Sequence, residues 1–210
     1  MRKPANLTFE QAAAVPVAAI TALQGLRDKG QIRPGQKVLI NGASGGVGTF
    51  AVQIAKSYGV EVTGVCSTRN VELVRSLGAD RVIDYTQEDF TESGRYYDLM
   101  LDNAGNRSLS DCRRVLVSNG ILVLNSGTGG RWVGPVPRLL EARLLSRFVS
   151  QKLVFFLATV TKGDLVVLKE LFEARKVTPV IDRRYPLSEV PAAIRYLEKG
   201  HALGKVVITV

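Results

Sequence analysis

The run Gly42-Ala43-Ser44-Gly45-Gly46-Val47-Gly48 constrains this chain more than any other stretch. It follows an apolar strand-like run, Lys37-Val38-Leu39-Ile40-Asn41, and opens a helix-like run from Val47 to Lys56. Strand, glycine turn and helix in that order make a phosphate cradle. The glycines let the backbone turn tightly and approach a pyrophosphate, and the helix N-terminus presents N–H groups and a positive dipole end. A lone glycine pattern carries little weight. Here both flanking elements are present and the spacing is a regular G-x-x-G-x-x-G. A dinucleotide site is the reading, with a purely structural glycine turn as its alternative.

The second strand, Glu61-Val62-Thr63-Gly64-Val65-Cys66, bears on which dinucleotide. NAD-selective sites place an Asp or Glu about 20 residues beyond the glycines, on the ribose 2′-OH. Cys66, Ser67, Thr68, Arg69 and Asn70 occupy that region, with an arginine and no carboxylate. A carboxylate repels a 2′-phosphate, whereas Arg69 with the Ser67 and Thr68 hydroxyls binds one. NADPH is therefore favoured over NADH. The alternative is that Arg69 is a solvated residue opening the next helix.

At 210 residues, 46% of them hydrophobic, the chain can bury a substantial core as one large domain or one and a half. It has no apolar run long enough for a membrane span. Its opening residues, Met1 to Thr8, lack the apolar core of a signal peptide, so a cytoplasmic location is the default. Cys66 and Cys112 form no C-x-x-C pair, and with His201 they cannot assemble a zinc set, so no metal is expected. The net charge of +9 raises nucleic acid or an anionic membrane as partners. The basic residues are scattered, however, and no nucleic-acid-binding signature is visible. The densest cluster runs from Arg131 to Lys152, with Arg138, Arg143 and Arg147 among leucines. It reads as a solvated helix face with its leucines in the core, the alternative being a membrane-surface helix.

Along the chain, Thr8 caps a first helix with Gln11 at the capping-box position, and a second helix runs from Ala18 to Arg27. Strands are expected near Val38–Asn41, Glu61–Val65, Arg81–Asp84, Leu99–Asp102, Ile121–Asn125 and Leu153–Leu157. Helices near Gly46–Tyr58, Asn70–Leu77, Ser108–Leu116 and Arg138–Phe148 alternate with them. Strands apolar on both faces, alternating with helices, imply an α/β fold: a doubly wound, parallel six-stranded Rossmann sheet with helices on both faces. The tail adds a helix at Gly163–Arg175, a strand at Val180–Tyr185, a helix to Lys199 and an apolar strand, Gly204–Val210, that needs a sheet to join.

This layout resembles the medium-chain dehydrogenase/reductase superfamily, in its zinc-independent quinone oxidoreductase-like branch. The resemblance is carried by Ala12-Ala13-Ala14-Val15-Pro16 with Thr21-Ala22-Leu23, by Arg33-Pro34-Gly35-Gln36 leading into the glycine run, by Leu77-Gly78-Ala79-Asp80-Arg81-Val82-Ile83-Asp84-Tyr85, and by Gly204-Lys205-Val206-Val207. It implies linker helices over 1–34, a dinucleotide-binding domain over 35–185, and a C-terminal helix and strand over 186–210. The family carries a GroES-like substrate domain ahead of the linker helices, and the present residues begin at the linker. The terminal strand is accordingly expected to return toward that domain.

The resemblance also implies site residues. Ser44, Gly45, Gly46 and Val47 line the pyrophosphate, and Ser67 matches a 2′-phosphate serine. A lysine of the family falls at Asn70, so Arg69 takes over its charge, with Thr68 beside it. Tyr85 closes the adenosine-phosphate pocket or, alternatively, is a core aromatic. Asn103 and the Asn125-Ser126-Gly127 stretch stand at strand ends where the family meets the cofactor. Phe156, with Phe155 and Leu157, resembles the strand beside the nicotinamide, core packing being its alternative. Lys205 resembles a lysine near the cofactor, or is a surface residue.

The implied activity is hydride transfer from NADPH to a quinone, enone or similar carbonyl-conjugated acceptor. No catalytic residue is assigned, because a quinone's reduced oxygens take protons from water. A non-catalytic NADPH-binding module and a fragment of a zinc-dependent alcohol dehydrogenase stand as alternatives. Family members commonly dimerise through sheet edges, which points to Leu153–Leu157 as a homodimer edge.

Overall fold

The computed structural model describes residues 2–125, 136–145, 149–200 and 202–210, with residues 136–139 and 143 described by backbone only. The chain opens with α1 (Phe9–Ala13), entered through a complete capping box. The Gln11 N–H donates to Thr8 Oγ1 and the Thr8 N–H donates to Gln11 Oε1. Helix α2 (Pro16–Gln24) follows, with proline at its start, where a missing N–H costs nothing. The sequence extends this helix to Arg27, but the structure widens it into a π-turn over Gly25–Lys29, closed by the Gly30 N–H on Gly25 O at 2.8 Å. Gly25 lies under Leu101 and Phe156, where a side chain would crowd both.

Six strands then build one sheet: β1 (Lys37–Asn41), β2 (Glu61–Cys66), β3 (Arg81–Asp84), β4 (Tyr97–Asp102), β5 (Leu116–Leu124) and β6 (Lys152–Phe155). All pair in parallel, in the order β3-β2-β1-β4-β5-β6. The intervening helices are α3 (Gly48–Ser57), α4 (Val71–Ser76), α5 (Leu109–Arg114) and α6 (Val136–Leu145). Strand β5 begins at Leu116 rather than the expected Ile121, because a register shift between Tyr97 and Leu99 lets Leu116 pair with Tyr97 ahead of the regular ladder.

Successive strand residues face opposite sides, and both sides are covered. Val38, Ile40, Leu99 and Leu101 pack with Ile20, Leu23, Phe50 and Ile54 in one core. Leu39, Met100, Leu122 and Leu124 pack with Phe90, Leu109 and Cys112 in the other. Cys66 and Cys112 are both buried, and neither forms a disulfide. In α6, Ala142 is buried but Leu140 and Leu144 are exposed, against the expectation that the leucines of this helix are core. Arg131 and Arg147 lie outside the described residues, as do the side chains of Arg138 and Arg143. No helix among the described residues is long and apolar enough to cross a membrane.

After the sheet come α7 (Lys162–Glu173), β7 (Ile181–Pro186), α8 (Val190–Glu198) and β8 (Lys205–Thr209). The final strand finds its partner within the chain: β8 pairs with β7 in parallel as a separate two-stranded sheet. Two glutamines fasten the ends of α7 to the main body. Gln24 exchanges both amide bonds with the Thr159 backbone, at 2.7 and 3.2 Å, and Gln53 does the same with Thr178, at 3.0 and 2.8 Å. Asp164, 5% exposed, accepts from Gln24 Nε2, Arg27 and Thr161 Oγ1. Burial alone raises its carboxyl, but the hydrogen bonds from Thr161, Arg27 and Gln24 outweigh burial and hold it below the ordinary aspartate range.

Candidate nucleotide cleft

The strand order reverses between β1 and β4, and the C-terminal ends of strands flanking such a reversal form a crevice. A cleft of about 730 Å³ opens there. Its floor is made by strand ends: Asn41 from β1, Val65 and Cys66 from β2, Asn103 and Ala104 after β4, and Asn125 after β5. The glycine run crosses it, and the backbone holds that loop in place. The Ala43 N–H donates to Val65 O at 2.9 Å, and the Thr49 N–H to Gly45 O at 3.0 Å. No side chain caps the N-terminus of α3, whose preceding residue is Val47. With the Thr49 amide taken by Gly45, it is Val47 and Gly48 at the helix start that line the cleft, where an anion meets the positive end of the helix dipole.

The far wall comes from the tail. The Gly204 N–H donates to Ser44 O at 2.9 Å and the Lys205 N–H donates to Val180 O at 2.9 Å. A Cβ on Gly46 would stand 3.1 Å from Lys205 Cδ, so the lysine stem lies over the glycine loop. Among the described residues the cleft is lined by two cations, Arg69 and Lys205, by a set of asparagines, and by no carboxylate. That composition fits a phosphorylated ligand such as a dinucleotide.

Of the residues singled out from sequence, Ser44, Gly45, Gly46, Val47, Ser67, Arg69, Tyr85, Asn103, Asn125 and Lys205 all line this cleft. Tyr85 is 42% exposed at its rim, not in the core, held there by its N–H on Cys66 O at 3.0 Å. Two expected residues stand elsewhere. Thr68 is bonded through its hydroxyl to Thr86, 2.9 Å away, on the outside of the loop. Phe156 is 6% exposed and packs in the first core, its ring beside Gly25. An apolar side chain following an edge strand is drawn into the core wherever a small residue leaves room. Ser126, Gly127 and His201 lie outside the described residues.

Sequence reasoning left out several residues that shape the site. Asp102 is fully buried beneath the cleft, accepting from Asn41 Nδ2 at 2.9 Å and from the Gly105 N–H at 2.9 Å. Asn41 Nδ2 also donates to Asn106 Oδ1 at 2.8 Å, which ties the loop after β4 to β1. Asn125 Nδ2 donates to Asn103 Oδ1 at 3.0 Å, while Asn103 Nδ2 is buried with no partner among the described residues. Asn41 had a signal, a polar residue closing an apolar strand just before the glycines. Val17, at the start of α2, lines the cleft although 67% exposed, and nothing local marked it. Cys66 also lines it; burial, with the Asp84 charge adding, pushes its thiol up to about 11 and keeps it protonated. Asp84 is held below the ordinary aspartate range by hydrogen bonds from Thr68, then Thr86 and Gln87. Among the described residues no three His, Cys, Asp or Glu side chains gather as a metal site requires.

Comparison with known proteins gives the same picture. A family model described as zinc-binding dehydrogenase matches residues 77–208. The mouse protein named NAD(P)H oxidoreductase RTN4IP1, mitochondrial, is 38% identical over 99% of this chain and 57% of its own length. An Arabidopsis thaliana chloroplast envelope quinone oxidoreductase homolog is 33% identical over 99% of the chain and 64% of its own length. The solved quinone oxidoreductase from Coxiella burnetii superposes with a TM-score of 0.87 at 31% identity, covering 100% of this chain and 63% of that one. The chain thus spans little more than half the length of such relatives. On the family match, the parallel sheet and the placement of the glycine cleft, it belongs to the zinc-binding dehydrogenase family, in the quinone oxidoreductase-like branch of the medium-chain dehydrogenase/reductases, and corresponds to its Rossmann part.

Proposed function

We propose that this chain is the cofactor-binding part of an oxidoreductase that uses NADPH to reduce a quinone, enone or similar carbonyl-conjugated acceptor. The observation that carries the cofactor reading is the cleft itself: an uncapped helix start, Arg69 and Lys205, and no lining carboxylate. Ser44, Gly46 and Val47 would hold the pyrophosphate, with Lys205 over it. Ser67, Arg69 and Tyr85 would hold the 2′-phosphate, and Asn103 and Asn125 the ribose beyond. When bound, a reduced nicotinamide supplies a hydride. The acceptor gains that hydride and takes its proton from water, so the protein's part is to orient and to exclude water from the transfer. The acceptor class is supported by relatives named as a quinone oxidoreductase homolog and as a 2-methylene-furan-3-one reductase from tomato, the latter 36% identical over 98% of this chain and 48% of its own length.

Arg69→Ala tests the cofactor assignment. In a fluorescence titration the unaltered chain should bind NADPH at least tenfold more tightly than NADH, about 1.4 kcal/mol, and the variant should lose that margin. Equal affinities in both proteins would sink the 2′-phosphate assignment. A second reading, binding without turnover, is favoured by the exposure of Val17 at the cleft mouth, which leaves the site open to water. Oxidation of NADPH by a simple quinone separates the two.

The division into linker helices over 1–34, a dinucleotide domain over 35–185 and a tail over 186–210 belongs to the same proposal, although the pairing of β7 with β8 argues for starting the tail at Ile181. Strand β6 lies at the sheet edge, with Leu157 just beyond it 83% exposed. This favours a homodimer through that edge, which sedimentation of a monomer at high concentration would exclude. A reducing compartment suits the two buried cysteines, which form no disulfide. The organelle names of the relatives make fractionation the test of a cytoplasmic location.

A further inference from the structure

Asn70 closes the 3-10 turn Thr68–Asn70 that runs into α4, and its side chain makes no capping bond to that helix. Its Nδ2 donates to the Ser44 hydroxyl at 2.9 Å, and its Oδ1 is buried with no partner among the described residues. The residue is only 5% exposed, yet it lines the cleft beside Ser44. A buried, unsatisfied amide oxygen is unfavourable, and departures of this kind gather at functional sites.

The direction of the Asn70–Ser44 bond matters. A serine hydroxyl carries one donor hydrogen and two acceptor lone pairs. With the amide donating to its oxygen, the Ser44 hydrogen is left for another acceptor, and among the described residues it has none. Ser44 sits inside the glycine run that would cradle a pyrophosphate, whose oxygens only accept. We propose that Asn70 is a positioning residue that fixes the Ser44 hydroxyl as a hydrogen-bond donor to the pyrophosphate of a bound dinucleotide. The proposal rests on the dinucleotide reading above. It also gives a role to the position at which the family's lysine is replaced: the amide acts through the phosphate loop, not on the 2′-phosphate directly. Both NADH and NADPH carry the pyrophosphate, so the effect falls on both.

The test is a double-mutant cycle read by titration with NADH and NADPH. Ser44→Ala and Asn70→Leu should each weaken both ligands about tenfold, the scale of one hydrogen bond to a charged group. The double variant should weaken them by the same tenfold, because the amide works through the hydroxyl. A hundredfold loss in the double variant would show that the two act independently and would overturn the proposal, leaving the cleft assignment standing. Asn70→Asp, nearly isosteric, guards against a folding defect. Its carboxylate accepts the Ser44 hydrogen, so binding should be lost at neutral pH and recover as the introduced carboxyl is protonated. A loss that follows the unaltered chain's pH profile would count against the proposal. If the unaltered chain binds neither dinucleotide, both the proposal and the reading beneath it fail.

Discussion

Strands β4 and β7 are each six residues long, but they are held by different forces. Five of the six β4 residues are buried and the sixth is half-buried, whereas no residue of β7 is buried. The same contrast extends to their neighbours. Helix α3 buries eight of its ten residues, and α8 buries only Ala193, leaving Ile194 and Leu197 exposed. The main sheet stabilises itself by removing apolar surface from water. The β7–α8–β8 unit is kept in place largely by polar ties instead: Gly204 to Ser44, Gln53 to Thr178 just ahead of β7, and Arg184 to Glu10 at 2.6 Å. Yet this lightly held unit supplies Lys205 to the cleft. One of the two cations lining the candidate site therefore depends on bonds that contribute little to global stability.

The contrast can be broken from the sheet side first. Phe50 is fully buried and meets Phe172 edge to face, with ring centroids 6.4 Å apart. Phe50→Ala should cost about 3–5 kcal/mol in urea unfolding. A loss near 1 kcal/mol would mean that the core relaxes far more than a close-packed interior does. Asp164→Ala, where the start of α7 meets the end of α2, should cost less, about 2–3 kcal/mol, because Arg27 is one-third exposed and can rehydrate. The carboxyl is lowered in the folded chain, so its stabilisation is complete above the ordinary aspartate value of 3.8 and disappears as pH falls through the lower native value. The variant should accordingly show a shallower acid limb than the unaltered chain, and identical acid limbs would refute the coupling.

The smallest expected effect sharpens the comparison most. Gly204 has φ +64°, and a Cβ there would meet Val180 O at 2.5 Å. Gly204→Ala should cost about 1–2 kcal/mol, limited by the free energy that holds the tail on, since the tail can open locally. Hydrogen exchange should accelerate across β7, α8 and β8 while the amides of β1 and β4 keep their protection. Uniform acceleration would show that tail and sheet unfold together.

Local patterns made the sheet legible. Apolar runs bounded by turn residues located all six of its strands, within a few residues except at β5, where the early start at Leu116 depends on a register that β4 imposes. The capping box at Thr8 was equally local. The π-turn at Gly25 was not legible, because its cause is the approach of Leu101 and Phe156 from distant strands. For the same reason the clamps made by Gln24 and Gln53 cannot be read from a helix's own residues. In the cleft, the glycine run and Arg69 were visible as types at a spacing. Asn41 was marked by closing an apolar strand, but the bonds made by the asparagines at positions 41, 70 and 106 were not legible, since an amide takes its meaning from its partner. Thr68 and Phe156 show the converse: right in type and near in sequence, they are turned elsewhere by Thr86 and by the space over Gly25.

The bond from Gly204 to Ser44 joins two points about three-quarters of the chain apart. Contacts of such long range form late, because the intervening chain must be ordered before its closure is rewarded. The sheet from β1 to β6 needs none of residues 181–209 to pair. During folding the phosphate loop can therefore exist before it has its second wall, and the full cleft is assembled only when the tail docks. Recovery of ligand affinity on refolding should therefore lag the secondary-structure signal, and simultaneous recovery would show that tail and sheet form together.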